Sequence, residues 1–143
     1  MNLPYHLILG SKSPRRKELL HSLGLVFSEE TYPVEETFDK QLASEDVAEF
    51  LAQKKSFGFR PLRHNELLLT ADTTVIKGEK ILGKPSNRAE AMEMLAELSG
   101  RKHQVISGVY LRTINKTVSF HVKTDVIFEE LEEQEIQHYL DDY

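Results

Sequence analysis

The stretch from Leu7 to Leu20, LILGSKSPRRKELL, constrains this chain more than any other. Leu7-Ile8-Leu9 is a short apolar run that reads as a buried strand and stops at Gly10. Ser13 is of the type preferred as a helix N-cap, and Pro14 of the type favoured at the first helical position. Leu19, Leu20 and Leu23 then recur at helical spacing, so the run reads as an amphipathic helix. Two arginines, Arg15 and Arg16, fall in the first turn, where free backbone N–H groups already make the helix end positive. An anion at that end would reconcile the arginines, the hydroxyls of Ser11 and Ser13, and Lys12 with one another. Against this phosphate-cradle reading stands the ordinary one, a solvated helical face opened by Ser-Pro. Neither G-x-x-x-x-G-K-[ST] nor G-x-G-x-x-G occurs, so any phosphate site is of another kind.

The rest of the chain reads as an alternation of strands and helices. Leu25 to Tyr32 is expected to be a second strand, and the acidic segment 33–40 (PVEETFDK) a loop. Ser44 is expected to cap a helix through about Phe57. Leu67 to Ala71 is the clearest buried strand and is expected to end at Asp72. Val75 to Lys77, the turn residues Gly78-Glu79-Lys80, and Ile81-Leu82 suggest a small hairpin. Asn87 opens a helix with Glu90 three residues on, a capping-box spacing; Ala91, Met94, Leu95 and Leu98 form its apolar face, and Ser99-Gly100 closes it. His103 to Phe128 reads as two long antiparallel strands joined near Asn115-Lys116, and a last helix is expected from about Glu132. This order indicates an α/β fold with a mixed sheet.

With 143 residues, 40% of them hydrophobic and 29% charged, the chain suits a single domain with a real core. A formal net charge of −5 argues against unspecific attraction to nucleic acid or anionic membrane, so a negatively charged ligand needs a local basic pocket. Cysteine is absent, which removes disulfides and thiolate chemistry. No apolar run is long enough for a bilayer and the start lacks a signal peptide's pattern, so the expected location is the cytoplasm.

Among residues that could carry chemistry, Asp72 stands out because ligand sites in open α/β sheets lie beyond strand carboxyl ends. A partly desolvated carboxylate there can act as a general base; an ordinary turn with Thr73 and Thr74 is the alternative. Lys84, held between Gly83 and Pro85, is aimed either at a phosphate or into a surface turn. Glu35 and Glu36 would bind a divalent ion, orient water, or simply be solvated. Lys55 lies on the second helix, where most lysines are exposed. The six histidines show no metal-ligand spacing and no serine sits in a G-x-S-x-G elbow.

The order of these signals resembles the Maf family. Ser11-x-Ser13-Pro14-Arg15-Arg16 is followed by Val34-Glu35-Glu36, Leu51-Ala52-x-x-Lys55, Thr70-Ala71-Asp72-Thr73 and Gly83-Lys84-Pro85. Leu98-Ser99-Gly100-Arg101-x-His103, Thr124-x-Val126-x-Phe128 and Glu135-Ile136-x-x-Tyr139 continue it, so the likeness covers essentially the whole chain. It implies an elongated α/β fold, a mixed sheet flanked by helices similar to inosine triphosphate pyrophosphatases, with the ligand in a cleft between two lobes. The implied activity is nucleoside triphosphate pyrophosphatase, giving the monophosphate and pyrophosphate, in a family also associated with inhibition of septum formation.

The resemblance makes Asp72 the proton acceptor and Ser11, Ser13, Arg15, Arg16, Lys55, Thr73 and Lys84 substrate-binding. Glu36 and Asp72 would hold a divalent cation, Mg²⁺ first, with Mn²⁺ or Co²⁺ as alternatives. Arg15 and Thr73 match positions that mark the branch preferring dTTP and UTP, extending to modified pyrimidine nucleotides. The implied partner is the nucleotide, with no nucleic acid or membrane, and with a homodimer as the candidate assembly. Family members continue past the position of Tyr143 with a lysine-alanine-glycine…tyrosine…glutamine stretch, so a single Maf-like domain over 1–143 is expected to be incomplete at its carboxyl end. The competing expectation is a nucleotide-binding regulator of septum formation without efficient turnover.

Overall fold

The computed structural model describes residues 4–82 and 87–127. In chain order the elements are β1 (His6–Leu9), α1 (Pro14–Ser22), β2 (Phe27–Glu29), α2 (Val47–Phe57), β3 (Glu66–Lys77), β4 (Lys80–Leu82), α3 (Arg88–Leu98), β5 (Lys102–Arg112) and β6 (Thr117–Ile127). The strands form one sheet in the order β2-β1-β3-β5-β6, with β4 also paired to β3. β1 runs parallel to both β2 and β3, in register Leu7 with Phe27 and Leu7 with Leu67, whereas β3 and β4 are antiparallel. The sheet is therefore mixed, as expected.

By compactness the chain divides into two units, residues 1–73 with 107–122 and residues 74–106 with 123–143. In the first unit β1 is buried on both faces, which is why its sequence is an unbroken apolar run. Leu7 and Leu9 pack on one face with Leu20 of α1, joined by Leu25, Phe27, Leu67 and Leu69. Ile8 points the other way, to Leu68, Phe59 and Leu62. Leu19 and Leu23 do not join this core; they are 58% and 61% exposed, so Leu20 alone of the three is buried in α1. A helix of nine residues laid on a sheet face touches it along one narrow line, too narrow for three leucines.

Ser13 does cap α1, its hydroxyl accepting from the backbone N–H of Arg16, with Pro14 first in the helix. Ser44 does not open α2; it starts a single 3₁₀ turn, Ser44–Asp46, and the α-helix follows at Val47. Val47, Ala48, Leu51 and Ala52 bury the inner face of α2. The buried hydroxyl of Thr70 on β3 donates to the Ala52 carbonyl at 2.7 Å and so ties helix to strand. A further ionic lock fixes the start of β3, where Arg60 spans the buried Glu66 and Glu30 with four contacts of 2.8–2.9 Å.

In the second unit the hairpin forms as expected, Val75 opposite Leu82 and Lys77 opposite Lys80, with Gly78 at φ +65° supplying the turn. Asn87 caps α3 by accepting from the Glu90 N–H at 2.9 Å. Back in the first unit, β5 and β6 are joined by a turn closed by Thr113 N–H to the Lys116 carbonyl. Val118, Phe120 and Val122 alternate along β6 as expected but remain exposed. The helix expected from Glu132 lies outside the described residues, as does Lys84.

Candidate active site

β3 decides the site, and it corrects one expectation. The strand does not end at Asp72 but runs on to Lys77, because Thr73, Thr74, Val75 and Ile76 are strand-forming residues that continue the ladder. Asp72 is thus a mid-strand carboxylate, 4% exposed, and Thr73 beside it alternates to the exposed side. A carboxylate so buried needs a counter-charge, and α2 supplies it. Lys55 Nζ lies 3.3 Å from Asp72 Oδ1 and 3.1 Å from Glu36 Oε1, bridging the strand and the 33–40 loop.

That loop is seated on the last turns of α2 by adjacent contacts. Lys54 Nζ donates to the Thr37 carbonyl at 3.0 Å and to its hydroxyl at 2.8 Å. A Cβ placed on Gly58 would meet the Val34 side chain at 2.5 Å, so glycine lets the loop approach the helix end. Glu36 therefore reaches Lys55 from a backbone held on both sides. Lys54 is not singled out by the sequence; its only local signal is adjacency to Lys55.

The second cluster is built at the start of α1. Arg16 folds back so that Nη1 donates to Ser11 Oγ at 3.0 Å and Nη2 to Thr73 Oγ1 at 2.9 Å. Ser11 Oγ also accepts from the Ser13 N–H at 3.2 Å. With both acceptor positions of that oxygen used, the Ser11 proton can only be donated outward, to an acceptor such as a phosphate oxygen. Burial lowers the Arg16 pKa below the usual arginine range, and the nearby Asp72 charge works against that shift. Arg15 is exposed and, among the described residues, does not join the Ser11–Arg16–Thr73 cluster.

The structure thus brings together Ser11, Ser13, Arg16 and Thr73 in one group, and Glu36, Lys55 and Asp72 in another. Arg16 lies in the electrostatic range of Asp72, and Asp72 and Thr73 are neighbours on β3. Chemically the first group offers hydrogen-bond donors and positive charge to an anion, and the second offers a carboxylate base with an ammonium beside it.

The two carboxylates also suit a hard divalent cation. Among the described residues no cluster of three or more His, Asp or Glu side chains could cage a metal. Two carboxylates completed by substrate phosphates is, however, a common way for proteins to hold Mg²⁺. Among the described residues no helix is long and apolar enough to cross a membrane.

The chain is similar to several known proteins. Residues 6–143 match the family described as Maf-like protein. A dTTP/UTP pyrophosphatase of Bacteroides thetaiotaomicron is 44% identical over 141 residues, covering 97% of this chain and 73% of that protein. A dTTP/UTP pyrophosphatase of Bacillus anthracis is 44% identical over 134 residues, covering 94% of this chain and 70% of that protein. In structure, the Staphylococcus aureus Ham1 protein superposes with a TM-score of 0.54 at 13% identity, over 84% of this chain and 70% of that one. That last likeness is one of fold alone.

Proposed function

Since this chain belongs to the Maf family, we propose that it is a nucleoside triphosphate pyrophosphatase converting dTTP and UTP to the monophosphate and pyrophosphate. The observation that carries this reading is the juxtaposition, in a chain 44% identical to dTTP/UTP pyrophosphatases, of the buried Asp72 with Lys55 and Glu36.

The chemistry follows from the side chains. Cleavage of the bond between the α- and β-phosphates depends mainly on positioning the triphosphate and neutralising its oxygens. Ser11 donates to a phosphate oxygen, Arg16 adds charge beside it, and the exposed Arg15 and the capped start of α1 widen the cationic surface. Asp72 accepts the proton of the attacking water, a contribution of roughly 10²–10⁴-fold for general-base catalysis. In the absence of other cations, Lys55 supplies the counter-charge to the buried Asp72 carboxylate. Glu36 and Asp72 would hold a divalent cation, which when bound neutralises charge on the phosphate oxygens. Thr73, its hydroxyl oxygen already accepting from Arg16, is left with a proton to donate toward a substrate carbonyl or phosphate.

A panel of nucleoside triphosphates with Mg²⁺, assayed for pyrophosphate release, tests the reading. Release from dTTP and UTP well above that from purine triphosphates is the expected result. Equal rates across the panel would remove the pyrimidine preference, and no release from any of them would remove the activity.

A further inference from the structure

We infer that the Lys55 ammonium is a placeholder for the divalent cation: it occupies the point between Glu36 and Asp72 that the cation takes, and must withdraw for the cation to bind. The inference rests on the proposed reading for there being such a cation, and concerns what the chain's own residues do toward it.

Three observations carry it. Lys55 Nζ touches one oxygen of each carboxylate, at 3.1 and 3.3 Å, so the two acids converge on a single point already filled by positive charge. The Asp72 side chain is 6% exposed, so its charge is met by Lys55 with little help from water. Lastly, the carboxylates do not depend on Lys55 for their positions. Asp72 is fixed by the β3 ladder, and the backbone beside Glu36 is anchored by Lys54 on Thr37 and by the Val34–Gly58 contact. Lys55 can therefore leave without the pair dispersing.

An ammonium and a divalent cation repel each other and cannot share one point, so Lys55 opposes cation binding by the charge it places there. Once withdrawn, it is a free cation on α2 beside the place where triphosphate charge accumulates. The exchange would couple arrival of the cation to delivery of a lysine to the substrate. Arg16 cannot take this part, because its guanidinium is committed to Ser11 and Thr73.

Mn²⁺ titration of the whole chain without nucleotide, read by the electron paramagnetic resonance of the free ion, tests the exchange. Lys55→Met and Lys55→Gln are expected to bind Mn²⁺ roughly ten- to a hundredfold more tightly than the unaltered chain. Adding Glu36→Gln to Lys55→Met should erase the gain. Affinity equal to or below that of the unaltered chain in both variants would overturn the inference, as would a gain that survives Glu36→Gln. Should either variant unfold, recovery of its circular dichroism on adding Mn²⁺ supports the exchange, and failure to recover refutes it. The proposed function is tested separately by pyrophosphate release from the unaltered chain. Turnover without the affinity gain sinks the placeholder alone, and the gain without any turnover sinks the activity alone.

Discussion

Gly108 on β5 lies close against the backbone of α2, the helix that carries Lys54 and Lys55, and its replacement by alanine has a calculable consequence. A Cβ built there would lie 2.3 Å from Glu49 N, 2.4 Å from Ala48 C and 2.5 Å from Glu49 Cα. Ordinary contacts of this kind are about 3.5–4.0 Å, so helix and strand would have to separate by roughly 1 Å. The atoms in the way are backbone, and the helix has little freedom to yield. Its inner residues Val47, Ala48 and Ala52 are fully buried, and Thr70 holds the Ala52 carbonyl. Arg112 donates to both the hydroxyl and the carbonyl of Ser56 at 2.9 and 2.7 Å. Glu49 itself accepts from Ser119 at 2.6 Å and contacts His121 at 2.9 Å.

Overpacking of a rigid core costs about 1–3 kcal/mol, and this site belongs at the upper end of that range. At roughly 2–4 °C per kcal/mol for a chain near this size, Gly108→Ala should lower the melting temperature by about 6–12 °C. Thermal melts followed by circular dichroism, with urea midpoints alongside, measure it. Gly78→Ala is the contrasting variant: nothing lies within 4 Å of its Cβ, and the cost there is left-handed backbone strain of roughly 1–2 kcal/mol. A Gly108→Ala protein melting within about 2 °C of the unaltered chain would refute the argument that α2 and β5 are in backbone contact.

Other outcomes follow from the same geometry. Asp72→Asn keeps size and shape, so its melting curve should stay close to that of the unaltered chain while kcat falls by about 10²–10⁴-fold; retention of most of kcat would make Asp72 structural. Arg16→Ala removes a charge-assisted bond of about 1.5–3 kcal/mol and should weaken nucleotide binding roughly ten- to a hundredfold. Arg16→Lys should recover little of that, since one ammonium cannot reach both Ser11 and Thr73; isothermal titration distinguishes the two results. Hydrogen bonds from Arg60 hold the Glu66 carboxyl down to about 2 from an ordinary 4.5, so its contribution to stability is full above pH 4.5 and is lost as pH falls toward 2. Glu66→Gln should therefore lower the urea midpoint at pH 6 and shrink the loss between pH 5 and pH 3; an unchanged acid slope would rule out the Arg60 lock as its source.

What the sequence determined by itself is local. The Ser13 cap and Pro14 start of α1, the Asn87 cap of α3 and the turn at Gly78 are written within a few residues of where they act, because capping and turn geometry use only neighbouring backbone groups. The unbroken apolar run of β1 likewise announced a strand covered on both faces. The motif order was also enough to point to the family, and through that resemblance to name Asp72, Lys55 and Glu36 as candidate site residues.

Tertiary structure alone decided how they meet. Lys55 and Asp72 are 17 residues apart and Arg16 and Thr73 are 57 apart, so their pairing is made by the parallel register of β1 with β3 and the seating of α2. Asp72 read as a strand end because carboxylates disfavour strands, yet the ladder carried on through it once Lys55 balanced its charge. Leu19 and Leu23 shared the period of Leu20 but not its burial, since periodicity gives a face and only packing says how wide the covered strip is. A lysine in isolation reads as solvated; Lys54 and Lys55 acquire their roles only when the fold lays the 33–40 loop and β3 against one end of one helix. Coulombic pairing acts through space, and sequence spacing does not record it.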